Sequence, residues 1–221
     1  MPYRKVPLVA GEIYHVFNRS ITGVPIFPTS QYFTRFIELI NYYRFKDTPV
    51  SYSQFKRIER DIRQQIMDDL IKEDDRQVEI FAFCLMDNHF LLKQTADNGI
   101  ARFISNLQNG YAKYFNVRTE RNGPLFQPMF KNTRIITDEQ FLHVSRYIHL
   151  NPSTSYLVKI EDLENYKWSS LPGYLSLNQQ YAFVNMSFIL DLLSKKKYKQ
   201  FVYDQAEYQR ELGNIKHLLM E

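Results

Sequence analysis

Hydrophobic and polar positions change period several times along the chain, and each change predicts an element. Glu12–Arg19 (EIYHVFNR) alternates and is rich in β-formers, which predicts a strand. From Ser30 to Phe45 the apolar positions Tyr32, Phe33, Phe36, Ile37, Ile40 and Tyr43 recur at three- and four-residue steps. That spacing predicts an amphipathic helix capped by Thr29 or Ser30. Ser53–Asp75 predicts a second, highly charged helix with a narrow stripe of Phe55, Ile58, Ile62, Ile66 and Leu70, read as a surface insertion over about 51–76. Gln77–Met86 is mostly apolar and predicts a central strand. Asp87-Asn88 is a turn pair, and His89–Gln94 its hairpin partner.

Gly99–Val117 carries the clearest helical stripe, through Ile100, Phe103, Leu107, Tyr111 and Phe115. Asn122-Gly123-Pro124 predicts a turn and Phe130–Ile136 a strand. A helix capped by Asp138 is expected to run to Leu150, because proline disfavours helix in the residue before it and Asn151-Pro152 follows. Beyond Tyr174, helices are expected near Ser187–Leu193 and Lys196–Glu207. Strands separated by helices around a hairpin predict an α+β fold with a mainly antiparallel central sheet flanked by helices. One main domain over 8–180, followed by a helical extension over 181–221, is the expected organisation.

Composition narrows the class. With 221 residues, 44% hydrophobic content, 7 Gly and one cysteine, the chain is neither disordered, collagen-like nor a disulfide scaffold. No apolar run approaches the ~20 residues of a membrane span. Met1-Pro2-Tyr3-Arg4-Lys5 leads into no apolar signal region, so a cytoplasmic location is the expectation.

Charge changes the picture more. The net charge is only +4, from 28 Lys and Arg against 24 Asp and Glu. Between Asn98 and Ile136, however, Arg102, Lys113, Arg118, Arg121, Lys131 and Arg134 face Glu120 alone. Tyr111, Tyr114, Phe115, Phe126 and Phe130 are interleaved with them. Cations meet phosphates and rings meet bases in a nucleic-acid groove. A solvated face over an aromatic core has the same composition, and both readings stand at this point.

Candidate chemistry centres on the helix after Asp138. His143, Tyr147 and Asn151 lie at i, i+4 and i+8, on one face. A phenol with a reference pKa of ~10 is almost entirely protonated at neutral pH, so a nucleophilic tyrosine needs a cation or a base beside it. The same spacing also describes a partly buried Tyr147 with Asn151 at the helix end. His89 opens a strand after a turn, where a side chain can enter a cleft. His15 reads as packed, and His149 points away from Tyr147. Cys84 has no second cysteine, which argues against zinc. No phosphate-binding glycine loop is present.

Together these residues resemble a known family. The blocks are Tyr14-His15-Val16-Phe17-Asn18-Arg19, Phe83-Cys84-Leu85-Met86-Asp87-Asn88-His89-Phe90, Gly123-Pro124-Leu125-Phe126-Gln127, Phe130-Lys131, Arg146-Tyr147-Ile148-His149-Leu150-Asn151-Pro152 and Trp168-Ser169-Ser170. In order and spacing, over roughly residues 8–180, the chain resembles insertion-sequence transposases of the single-tyrosine HUH class, in particular the REP-associated tyrosine transposases. The resemblance implies an HUH-nuclease-like sheet facing a helix with the nucleophilic tyrosine, here Tyr147. It implies a Mg²⁺ or Mn²⁺ ion held by His89 and Asn151, and single-stranded or hairpin DNA as the partner. Cleavage would pass through a 5′-phosphotyrosine intermediate. Relatives include monomers and homodimers. The family reads His-hydrophobic-His, whereas this chain reads His89-Phe90-Leu91, and leucine binds no cation. Two expectations follow: a DNA-strand transferase in which His143 substitutes as ligand or base, or a catalytically impaired descendant that binds DNA hairpins. Should Tyr147 not be the nucleophile, Tyr111 and Tyr114 are the next candidates.

Overall fold

The computed structural model describes residues 7–86, 89–175 and 181–205, with residues 89–91 described by their backbone. Four strands, β1 (Ile13–Phe17), β2 (Val78–Cys84), β3 (His89–Gln94) and β4 (Lys131–Ile135), form one sheet in the order β2-β3-β1-β4. Among the described residues, eight α-helices accompany them: α1 (Ser30–Tyr43), α2 (Tyr52–Phe55), α3 (Arg60–Glu73), α4 (Gly99–Arg118), α5 (Asp138–Thr154), α6 (Leu171–Leu175), α7 (Ser187–Leu192) and α8 (Lys195–Tyr203). The α+β expectation holds. Register shows the sheet to be antiparallel. Gly11 N–H donates to Gln94 O and Gln94 N–H to Glu12 O beside the β1–β3 pair, while Gln127 N–H donates to Arg19 O beyond the β1–β4 pair. No described helix is long and apolar enough to cross a membrane.

The chain divides into two compact units. Of the described residues, one comprises those up to Glu79 together with Leu92–Arg134; the other comprises those within Ile80–Leu91 and from Ile135 on. In the first, α1 packs on α4. Tyr111 of α4 lies 4.9 Å from Phe36 of α1, ring centre to ring centre, and its hydroxyl donates to Ile26 O. Edge-to-face pairs of this kind strengthen a core beyond the area they bury. Asn18 ties this unit together: its Nδ2 donates to Gln108 Oε1 at 3.2 Å and to Gln127 O at 3.1 Å. In the second unit, Phe141 of α5 sits between Phe81 of β2 at 5.1 Å and Phe188 of α7 at 4.7 Å.

Several sequence expectations change. β2 is the first strand in the sheet order rather than a central one. Its burial has another source, because the polar edge is covered by later chain: Leu85 N–H donates to Trp168 O, Ser170 N–H to Phe83 O and Asn185 N–H to Ile80 O. Covering an edge in this way satisfies its backbone groups as a neighbouring strand would.

The helix expected over Ser53–Asp75 is two helices. A capping box at Ser51 and Gln54 starts α2, and Glu59, with ψ 146°, separates it from α3. Phe55 turns back onto Tyr42 at 4.7 Å, while Ile62 and Ile71 remain exposed, so ring packing overrides a continuous period.

α5 does not stop at Leu150 but carries Pro152 inside its last turn. It ends instead in a Schellman closure: Tyr156, at φ 56°, donates to Ser153 O, and Leu157 donates to Pro152 O. The expected helix over Lys196–Glu207 is observed as α8; Glu207 lies outside the described residues, as do Asp87, Asn88 and His217.

Candidate active site and basic surface

Helix α5 presents its polar residues in three ways. Tyr147 is 43% exposed, on the helix face turned to solvent. Asn151, one turn on, is buried, and its Nδ2 has no hydrogen-bond partner. A buried amide donor without a protein partner is one that a ligand or water can satisfy. His143, one turn before Tyr147, is engaged. Its Nδ1 lies 2.7 Å from the Arg146 guanidinium, its Nε2 lies 3.7 Å from Glu139 Oε1, and its ring meets Phe201 of α8 at 5.7 Å. Since guanidinium only donates, His143 Nδ1 is the acceptor in that bond.

His89 is the first residue of β3; its side chain lies outside the described residues. Among the described residues, no group of three or more His, Cys, Asp or Glu side chains is placed to hold a metal.

Of the alternative tyrosines, Tyr111 is buried and Tyr114 half-buried. Tyr111 is fully buried, its hydroxyl is spent on Ile26 O, and desolvation drives its pKa upward. It is no nucleophile. Tyr114 has the Arg35 guanidinium over its ring at 4.6 Å and that of Arg118 at 5.1 Å.

A polar centre that the periodicity did not reveal lies under the other face of α5. His149 is completely buried. Its Nδ1 is 2.7 Å from Tyr198 Oη and its Nε2 is 2.7 Å from Ser170 Oγ. Proton counting sets the direction. Ser145 Oγ donates to Leu142 O, so it accepts from Tyr198 Oη. Tyr198 therefore accepts from His149 Nδ1–H, and Nε2 accepts from Ser170 Oγ–H at 2.7 Å, the shorter of that hydroxyl's two contacts, Phe83 O lying at 3.3 Å. The imidazole is neutral with its proton on Nδ1, and burial pushes its pKa down to about 3. The signal was available as two separated motifs, His149 in one and Ser170 in the other, but spacing along the chain cannot join them.

The six cations of the basic stretch do not form one equivalent set. Arg134 makes a two-pronged pair with Glu12, Nε to Oε2 at 2.9 Å and Nη2 to Oε1 at 2.5 Å. Arg121 Nη1 donates to Pro124 O at 2.9 Å and so braces its own turn. Arg118 Nη1 donates to Gln31 Oε1 at 3.3 Å. Lys131 stands 6.0 Å over the Phe17 ring. Arg102 and Lys113 are exposed on α4.

An antiparallel sheet with flanking helices and an exposed tyrosine on one of them defines an α+β protein with a candidate covalent-chemistry residue. Comparison with known proteins gives one point of reference. The chain is similar to the solved structure of a REP-associated tyrosine transposase bound to a REP hairpin, with 15% identity over 84% of this chain and 93% of that one, at a TM-score of 0.49. No protein-family model matches the chain, and no curated protein does.

Proposed function

We propose that this protein binds single-stranded or hairpin DNA and that Tyr147 attacks a phosphodiester of the bound strand. The observation that carries the reading is the exposure of Tyr147, one turn from the buried, unpartnered amide of Asn151, on a helix whose other face is locked into the core. The motif blocks quoted above support the same assignment. In the reaction, Tyr147 Oη bonds to phosphorus as the bond to the 3′-oxygen breaks. The phenolic proton leaves to solvent or a base, and the departing oxygen takes one up as a 3′-hydroxyl. Attack by a 3′-hydroxyl on the phosphotyrosine reverses the step, so rejoining needs no nucleotide hydrolysis.

The resemblance assigns Mg²⁺ or Mn²⁺ to His89 and Asn151. Titration of Mn²⁺ into wild type and His89→Ala tests that assignment, with binding expected only in the wild type.

The direct experiment incubates the protein with labelled hairpin DNA and Mn²⁺ and resolves the products on a denaturing gel. A covalent adduct that disappears in Tyr147→Phe is the expected result. A sharp loss in His143→Ala would give His143 the substitute role, at the cost of its bond to Arg146. The absence of a second histidine after His89 favours the other reading, a hairpin-binding protein without strand transfer. Hairpin binding with no adduct at all decides for it.

A further inference from the structure

Within the first unit, a cavity of about 740 Å³ opens between α1, α2 and α4. Its size falls in the roughly 300–1,000 Å³ typical of small-molecule sites. Leu39 and Tyr43 of α1, Tyr52 of α2 and Val117 of α4 line it with apolar and ring surface. Around them stand Arg35, Lys56, Arg57, Lys113 and Arg118, and no carboxylate lines the cavity. Glu38, close by, takes Lys56 Nζ at 3.1 Å and Arg35 Nε at 3.8 Å. One carboxylate against five cations leaves a concave surface of strongly positive potential, which concentrates anions.

The cations are also prearranged. The Arg35 guanidinium lies 5.2 Å from the Tyr52 ring centre and 4.6 Å from that of Tyr114, and Arg118 lies over Tyr114 at 5.1 Å. A guanidinium held against two rings has already lost much of its rotamer freedom, so an anion that binds it incurs less ordering cost. Asn106 and Asn109 lie on the same stripe of α4 as Lys113, and both line the cavity. Side-chain amides match the paired donor and acceptor edges of nucleobases, and a base would take Asn109 Nδ2 from its present 3.3 Å contact with Ser105 Oγ.

We propose that this cavity binds a phosphorylated nucleotide, its base against the apolar and ring surface beside the two amides and its phosphate among the cations. An acidic peptide would satisfy the charge but bring no planar base to the apolar and ring surface. The site shares Lys113 and Arg118 with the DNA-binding reading and does not depend on Tyr147. A free mononucleotide and an unpaired nucleotide of a strand present the same chemistry.

Calorimetric titration of the full chain at low salt tests it, with dAMP, dTMP, a four-nucleotide single strand, inorganic phosphate and an acidic peptide as separate ligands. The variants are the double charge reversal Arg57→Glu with Lys113→Glu, both exposed positions, and Lys196→Glu on α8 as a single-charge control. Thermal melting confirms that each variant is folded. Saturable binding of a mononucleotide or of the short strand is expected, weakened at least about tenfold in the double variant and unchanged in the control. Mononucleotide binding identifies the free source; binding of the short strand alone identifies the strand source. Equal or tighter binding of phosphate or of the peptide overturns the proposal, as does wild-type affinity in the folded double variant or no binding of any ligand at millimolar concentration. Hairpin binding, measured in parallel, separates this result from the DNA reading: nucleotide binding without hairpin binding leaves this site standing and removes the other.

Discussion

His149 Nε2 and Ser170 Oγ meet at 2.7 Å in the core, joining the helix that carries Tyr147 to the segment that covers the edge of β2. Ser170 Oγ also accepts from Phe83 N–H at 2.9 Å. Strand edge, serine, imidazole and Tyr198 therefore form one buried polar chain, and such chains hold a unique arrangement only when every member is satisfied.

This network makes stability depend on pH. Burial pushes His149 down to about 3 and His15 down to about 4. In the unfolded chain both imidazoles take up a proton near the ordinary ~6.5. The unfolded state thus binds more protons below that value, and stability falls as pH drops towards about 4 for His15 and about 3 for His149. Each site contributes a slope of at most about 1.4 kcal/mol per pH unit. Urea unfolding between about pH 7 and pH 4.5 should show this decline, less steeply in His149→Gln. The same slope in that variant and the wild type would remove His149 from the account.

Two tyrosine-to-phenylalanine changes should differ in kind. Tyr147 is exposed, so Tyr147→Phe is expected to alter stability by no more than about 0.5 kcal/mol while removing the covalent adduct. Tyr111→Phe leaves the Ile26 carbonyl buried without its donor and should cost about 1–3 kcal/mol. Denaturant midpoints for the pair check the order. A larger loss in Tyr147→Phe would mean that Tyr147 serves the fold.

Glycines 99 and 110 give a second ordering. A Cβ on Gly99 would lie 2.1 Å from the Gln77 carbonyl oxygen, a backbone atom, whereas one on Gly110 would meet the flexible Leu39 Cδ2 at 3.2 Å. Gly99→Ala should therefore cost about 1–3 kcal/mol. Gly110→Ala recovers up to about 1 kcal/mol of helix propensity and should be close to neutral. Thermal melts of both variants decide it, and a Gly110→Ala more damaging than Gly99→Ala would show that Leu39 cannot give way across the α1–α4 contact.

The basic residues should separate by salt dependence. Lys131 is exposed, while Arg134 is committed to Glu12. In hairpin titrations over a range of salt, Lys131→Ala should lower the slope of log Kobs against log salt by about one phosphate contact. Arg118→Ala should weaken binding for any DNA sequence about as much as Lys131→Ala, whereas Arg134→Ala should leave the slope nearer that of wild type. Slopes that do not change with Lys131→Ala would remove this lysine from the phosphate-contacting surface.

Local period was enough to locate the described strands and most of the described helices, although it ran α2 and α3 together and did not reveal α6. A strand turns its side chains to alternate faces and a helix returns them every third or fourth residue, so Ile13–Phe17, His89–Gln94 and Gly99–Arg118 are legible from the order of residues alone. The short α6 has no period of its own to read. The excess of cations between Asn98 and Ile136, and Tyr147 and Asn151 on one helix face, belong to the sequence in the same way. What partners each polar group is a different kind of fact. The cover on the edge of β2, the burial of His149 between Ser170 and Tyr198, the pairing of Arg134 with Glu12, and the gathering of Arg35, Lys56 and Lys113 around one cavity all join positions far apart in the chain. Only tertiary structure decided these, because desolvation and hydrogen bonding depend on what lies across a contact rather than along the chain.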